Sequence, residues 1–224
     1  MLRRIVAEGL GSLLLAATVI GSGIMGERLA AGIPGVALIA NTGATVAVLA
    51  TLIALLGPVS GAHFNPAVSL AQALRGALRW RDAGAYTVIQ ILGCCAGAIL
   101  AHAMFSLPLI QASTHARTGM AQWLAEFVAT FGLLLVIMGN RKPEDAPWMV
   151  AAWIGAAYWF TSSTSFANPA ITIARSLSDT FAGISRSHVP AFIVAQFLGA
   201  LTVVPIVRWL FNNESDKQGR RSNR

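Results

Sequence analysis

The chain has 224 residues, 55% of them hydrophobic and only 11% charged, with a mean hydropathy of +0.65. A soluble domain carries roughly a quarter charged residues, so this composition excludes an ordinary water-soluble protein. The formal charge of +7 would suit nucleic acid, but its placement along the chain follows membrane orientation instead.

Six apolar blocks, at 5–23, 36–56, 84–105, 123–139, 148–162 and 189–211, approach the roughly 20 helical residues that cross a hydrocarbon core. The first follows Arg3 and Arg4, as a signal peptide would. It contains Glu8, however, its "GSG" at 21–23 is a weak cleavage site, and five more spans follow. A retained helix is predicted. With both chain ends cytoplasmic, only Arg28, Arg117, Arg175 and Arg186 of the sixteen cations fall on outer segments, the positive-inside asymmetry of a multi-pass inner (plasma) membrane protein.

The second block carries Thr45 and leads into "SGAHFNPAVSLAQAL" at 60–74. This segment, and "STSFANPAITIARSLS" at 163–178, are too short and too polar at their starts to span. The third block holds adjacent Cys94 and Cys95, which lack CxxC spacing and cannot readily pair. They read either as small packing residues or as a soft-metal thiol site. His102, His115 and His188 show no ligand spacing, so no metal and no cofactor is expected. The basic tail at 212–224 reads as an anchor on anionic lipid or as a partner-binding segment.

The two halves repeat. "AEGLGSLLLAATVIG" from Ala7 aligns with "AEFVATFGLLLVIMG" from Ala125, pairing Glu8 with Glu126. "NPAVSLA" from Asn65 aligns with "NPAITIA" from Asn168, and "QILG" from Gln90 with "QFLG" from Gln196. Three spans per half is an odd number, so the second copy enters from the opposite side, an inverted repeat whose shared site lies near the bilayer midplane. Asn is a good N-cap and Pro fits the first helical position. Asn65-Pro66-Ala67 and Asn168-Pro169-Ala170 therefore start two re-entrant half-helices. Non-helical backbone before them is tolerated only inside protein or beside a water-filled cavity. Entering from opposite faces, the half-helices meet N-terminus to N-terminus, and two Asn side chains and two positive dipole ends form the waist of a pore.

These motifs, with "AEG" at 7–9, "SGAHFNPAV" at 60–68, "AEF" at 125–127 and the Gln-x-x-Gly pairs, resemble the aquaporin (major intrinsic protein) superfamily over most of the chain. The resemblance implies an all-α membrane fold with six transmembrane helices and two half-helices, a homotetramer with one pore per copy, and passive flow of small neutral solutes. It implies that Asn65 and Asn168 donate hydrogen bonds to the solute while the dipole ends repel cations. It assigns Glu8, Glu126 and His63 to bracing the re-entrant loops, with His63 expected to bond backbone. An intramembrane acid also admits a second reading, a proton-coupling site. The channel domain is expected over 1–211, with repeats at 5–105 and 122–211.

One departure stands out. Most of the superfamily follows the second triplet with arginine; here the residue is Ile171, and the next cation is Arg175. Four apart, the two share a helix face, so Arg175 either overhangs the outer vestibule or pairs with Asp179. Gapless counting along the family pattern adds Thr45, Ala156 and Ser165 to Ile171 as the selectivity filter, predicting a wide constriction without a charged donor. "NPAITIARSLSDTFAGI" from Asn168 resembles a bacterial subgroup found with arsenic-resistance genes, which implies conduction of As(OH)3 and methylated arsenicals. A general water and glycerol channel is the alternative. A secondary transporter would need a titratable or ion-binding group at the midplane, where this chain offers Asn. An enzyme would need a nucleophile–base pair, and the spans hold none.

Overall fold

The computed structural model describes residues 1–212, so most of the expected tail at 212–224 lies outside the described residues. Among the described residues there are eight α-helices: α1 (Leu2–Leu29), α2 (Pro34–Ser60), α3 (Pro66–Leu74), α4 (Trp80–Met104), α5 (Met120–Gly139), α6 (Ala146–Phe160), α7 (Pro169–Arg175) and α8 (Val189–Asn212). The short ones, α3 and α7, are the half-helices; of the six expected spans, five are long and apolar enough to cross a membrane by length and composition, and α6 is shorter. Helix α1 overruns its apolar block at both ends because hydropathy marks only the lipid-facing stretch. The helix itself continues through Arg3 and Arg4 at one end and Glu27 and Arg28 at the other. The shortest span, α6, has 15 residues, about 22 Å at 1.5 Å per residue, and a 3-10 turn at Pro143–Asp145 leads into it.

Polarity is arranged for lipid. Leu55, Val88, Leu92 and Leu124 are each more than half exposed, while Glu8, Gln90, Glu126 and Gln196 are completely buried. The hydrophobic effect cannot press helices together in hydrocarbon, so close backbone packing must do it. The two Gln-x-x-Gly sequences supply that packing. A Cβ on Gly93 would lie 2.5 Å from the Gly9 carbonyl oxygen of α1, and one on Gly199 would lie 2.6 Å from the Phe127 oxygen of α5. Each glycine thus seats its helix against the residue following Glu8 or Glu126. Gln90 and Gln196, three residues earlier, come within reach of those carboxylates.

Both half-helices begin as their sequences dictate. Asn65 and Asn168 have extended backbones (φ −155° and −157°) and cap α3 and α7, accepting from Ala67 N and Ala170 N. Pro66 and Pro169 fill the first helical positions, where no N–H is needed. The preceding loops share a feature that the sequence does not announce. Ala62 and Phe64 in the first, and Ser165 and Ala167 in the second, have positive φ of 46–50°. These residues stand three and one positions before each Asn. Left-handed non-glycine residues cost on the order of 1–3 kcal/mol each and persist only where surroundings hold them.

Candidate functional site

What holds the loops is a crossed pair of amides. Asn65 Nδ2 donates to the Ala167 carbonyl at 2.7 Å, and Asn168 Nδ2 donates to the Phe64 carbonyl at 2.8 Å. Each Oδ1 meanwhile accepts from its own half-helix, Asn65 from Ala67 N and Asn168 from Ala170 N and Ile171 N. A side-chain amide has two N–H donors, so each Asn keeps one beyond the bond that ties the halves together.

Behind the crossing sit the two carboxylates. Glu8 accepts from Ser60 Oγ, His63 N, Phe64 N and Gln90 Nε2 at 2.6–2.9 Å. Glu126 accepts from Phe166 N, Ala167 N and Gln196 Nε2 at 2.6–2.9 Å. The glutamines continue outward, Gln90 to Ser69 Oγ and Gln196 to Thr172 Oγ1. The His63 ring was expected to bond backbone. It bonds the Ser69 hydroxyl instead (3.1 Å), with its edge on Tyr86, because its own amide already binds Glu8 and the ring swings toward α3 and α4.

One cavity of about 120 Å³ runs past the crossing, with Gln72 and Ala146 at one end and Ile171 and Arg175 at the other. Asn65, Asn168 and His63 line it; Glu8 and Glu126 do not, nor does any residue of α4 or α8. Of the four expected filter residues, Thr45, Ser165 and Ile171 face this cavity. Ala156 does not. It is exposed on the outer surface of α6, and Tyr158 lines the cavity in its place, its hydroxyl 3.3 Å from Thr45 Oγ1. Gapless counting carried Ala156 two residues out of register. Two residues turn a helix by about 200° at 3.6 per turn, enough to send the side chain to the opposite face.

The expectation of a constriction without a charged donor is also corrected. Arg175 is 2% exposed and lines the same cavity as Ile171, its guanidinium carbon 3.4 Å from the centroid of the Phe166 ring and its Nε donating to the Ala182 carbonyl. It does not pair with Asp179. That carboxylate is exposed and accepts from both Thr114 N and Thr114 Oγ1, bonds that hold its pKa below the usual 3.8. Opposite charge four residues along was a weaker pull than a buried aromatic face.

Sequence reasoning passed over Tyr158, Phe166 and Arg117. Arg117 comes from the loop between α4 and α5, donates to the carbonyls of Gly183, Ser163 and Phe181, and also stands over Phe166 at 5.2 Å. Its only sequence signal was a lone cation in an otherwise neutral outer loop. Ser165 Oγ is buried at the cavity wall with no hydrogen-bond partner among the described residues. The described residues contain no cluster of three metal-binding side chains, and Cys94 and Cys95 are both free thiols.

Residues 1–162 match the family described as Major intrinsic protein. The chain is 53% identical over 210 residues to the aquaglyceroporin AqpS of Rhizobium meliloti (strain 1021), covering 93% of this chain and 90% of that one. It is 27% identical over 235 residues to a probable glycerol uptake facilitator protein of Thermotoga maritima, covering 92% and 98%. Among solved structures, that of the aquaglyceroporin from Plasmodium falciparum superposes with a TM-score of 0.76 over 96% of this chain and 98% of that one. At 19% identity the last is a likeness of fold alone.

Proposed function

The chain belongs to the major intrinsic protein family of membrane channels, and from that premise we propose that it is an aquaglyceroporin-type pore for small uncharged polyhydroxy solutes, trivalent arsenic as As(OH)3 among them. It is a channel and not an enzyme. The observation that carries the proposal is the cavity that passes the Asn65–Asn168 crossing and continues to an outer wall that is mostly apolar with a few polar side chains. At the waist the solute meets one spare amide N–H from each Asn. Farther out it meets Thr45 and Tyr158, with Ser165 beside them and Ile171 forming the apolar part of the wall.

As(OH)3 suits this path. Three hydroxyls can take the donors and acceptors in turn, and Ile171 would lie against a methyl group in a methylated arsenical without leaving a buried donor unpaired. Neutrality matters because the half-helix N-termini present positive dipole ends at the waist. Assembly as a homotetramer in the inner (plasma) membrane, with both chain ends cytoplasmic, belongs to the same proposal; the charge asymmetry of the loops supports the orientation.

The experiment is flux into proteoliposomes containing the purified protein. Faster entry of As(OH)3 and glycerol than into empty vesicles is expected, linear with concentration. Entry no faster than in empty vesicles would refute the channel. Saturable entry driven by an ion gradient would make it a carrier.

A further inference from the structure

We propose that Arg175 is the cationic selectivity residue of this pore, delivered to the outer constriction from one helical turn beyond Ile171. The inference rests on the channel reading above. Residues 171 and 175 share a face of α7, and both side chains reach the cavity bounded by Thr45, Tyr158 and Ser165. Among the described residues, Arg175 is the largest of the almost fully buried side chains, so packing fixes it everywhere except at the cavity wall.

Its surroundings orient the guanidinium without neutralising it. The guanidinium carbon lies over the Phe166 ring, and Nε donates to the Ala182 carbonyl. Arg117, tied to three carbonyls, also stands over Phe166 and adds a second positive charge. Asp179, the acid expected to pair with Arg175, is engaged by Thr114. Among the described residues no acid forms an ion pair with Arg175, and no protein acceptor meets Nη1 or Nη2. That leaves Nη1 and Nη2 without a protein acceptor in a site whose other polar groups are Thr45 Oγ1, Tyr158 OH and Ser165 Oγ.

The consequence is a filter divided between two turns of one short helix. Ile171 gives the apolar wall and Arg175 the donor fork. Such a filter favours a neutral solute that offers oxygen acceptors to the outer side and an apolar edge or nothing to the inner side. It excludes cations by charge at a second level beyond the waist.

The test uses the full chain in proteoliposomes, comparing wild type with Arg175→Gln and Arg175→Lys for water, glycerol and As(OH)3 entry and for potassium leak. Gln removes the charge. A shift of roughly tenfold or more in the glycerol-to-water ratio is expected, the size of one charge-assisted hydrogen bond, together with a potassium leak above that of wild type. Lys keeps the charge but lacks the planar fork, so it should shift the solute ratio while leaving the leak low. If Gln does not fold, the Lys variant alone decides the matter, since a purely structural arginine would not separate the two readouts. Variants that fold and keep both the wild-type ratio and the wild-type leak would overturn the assignment. Wild-type vesicles no more permeable than empty ones would overturn the channel reading first, and this one with it.

Discussion

Glu8 and Glu126 accept from backbone amides at identical offsets, Glu8 from the residues two and one before Asn65, Glu126 from the residues two and one before Asn168. The equivalence extends to Gln90 and Gln196, each donating to its glutamate. Such amides, left unpaired at membrane depth, would cost several kcal/mol each. The carboxylates therefore answer a debt created by the left-handed loop backbone.

Replacing either acid by glutamine should destabilise the fold. Glutamine loses the charge assistance and turns an NH2 donor toward backbone or side-chain donors. A loss of about 3 kcal/mol or more per site is expected, read as a lowered melting temperature in detergent by tryptophan fluorescence. The contrasting reading, in which Glu8 or Glu126 couples proton movement to transport, would leave the variant folded and change only the pH dependence of flux.

Close packing at the glutamines is equally sensitive. Gly93→Ala and Gly199→Ala each place a methyl within 2.5–2.6 Å of a backbone oxygen on the facing helix, too near to be relieved by side-chain motion. Both variants should yield little monodisperse protein on size-exclusion chromatography. Gly84→Ala, where a Cβ meets nothing within 4 Å, should behave as wild type. Equal yields from all three would show that α1–α4 and α5–α8 are farther apart than described.

Ile171→Arg tests the apolar part of the wall. It would set a second guanidinium one turn from Arg175 on the same cavity face, narrowing the passage and repelling its neighbour. Glycerol and As(OH)3 entry should fall relative to water by roughly tenfold, about 1.4 kcal/mol in barrier. Stopped-flow light scattering on wild type and the Ile171→Arg variant side by side measures the ratio. An unchanged ratio would remove position 171 from the pore wall.

The parts of this molecule that the sequence exposes are those governed by local chemistry. Asn followed by Pro starts a helix wherever it occurs, and two such starts in an inverted repeat fix the waist. The paired Glu and Gln-x-x-Gly sequences were visible as repeats. Their joint purpose emerges only when Gly93 and Gly199 are seen against the residues that follow Glu8 and Glu126. Tyr158 was missed because the end of α6 and the irregular segment after it set the rotation of that helix face, and that register is tertiary. Arg175 was weighed against Asp179 by spacing alone, whereas the deciding partner, Phe166, lies in a different loop. No periodicity marks Ala62, Phe64, Ser165 and Ala167 as left-handed, since residues of these types are common everywhere else.

The crossed amides of Asn65 and Asn168 have a mechanical implication. Because each half donates to the other, the joint between the two half-helices belongs to neither repeat alone, and parting it breaks both ties. A change in the passage that keeps both ties would fall to its two mouths, while the centre stays clasped.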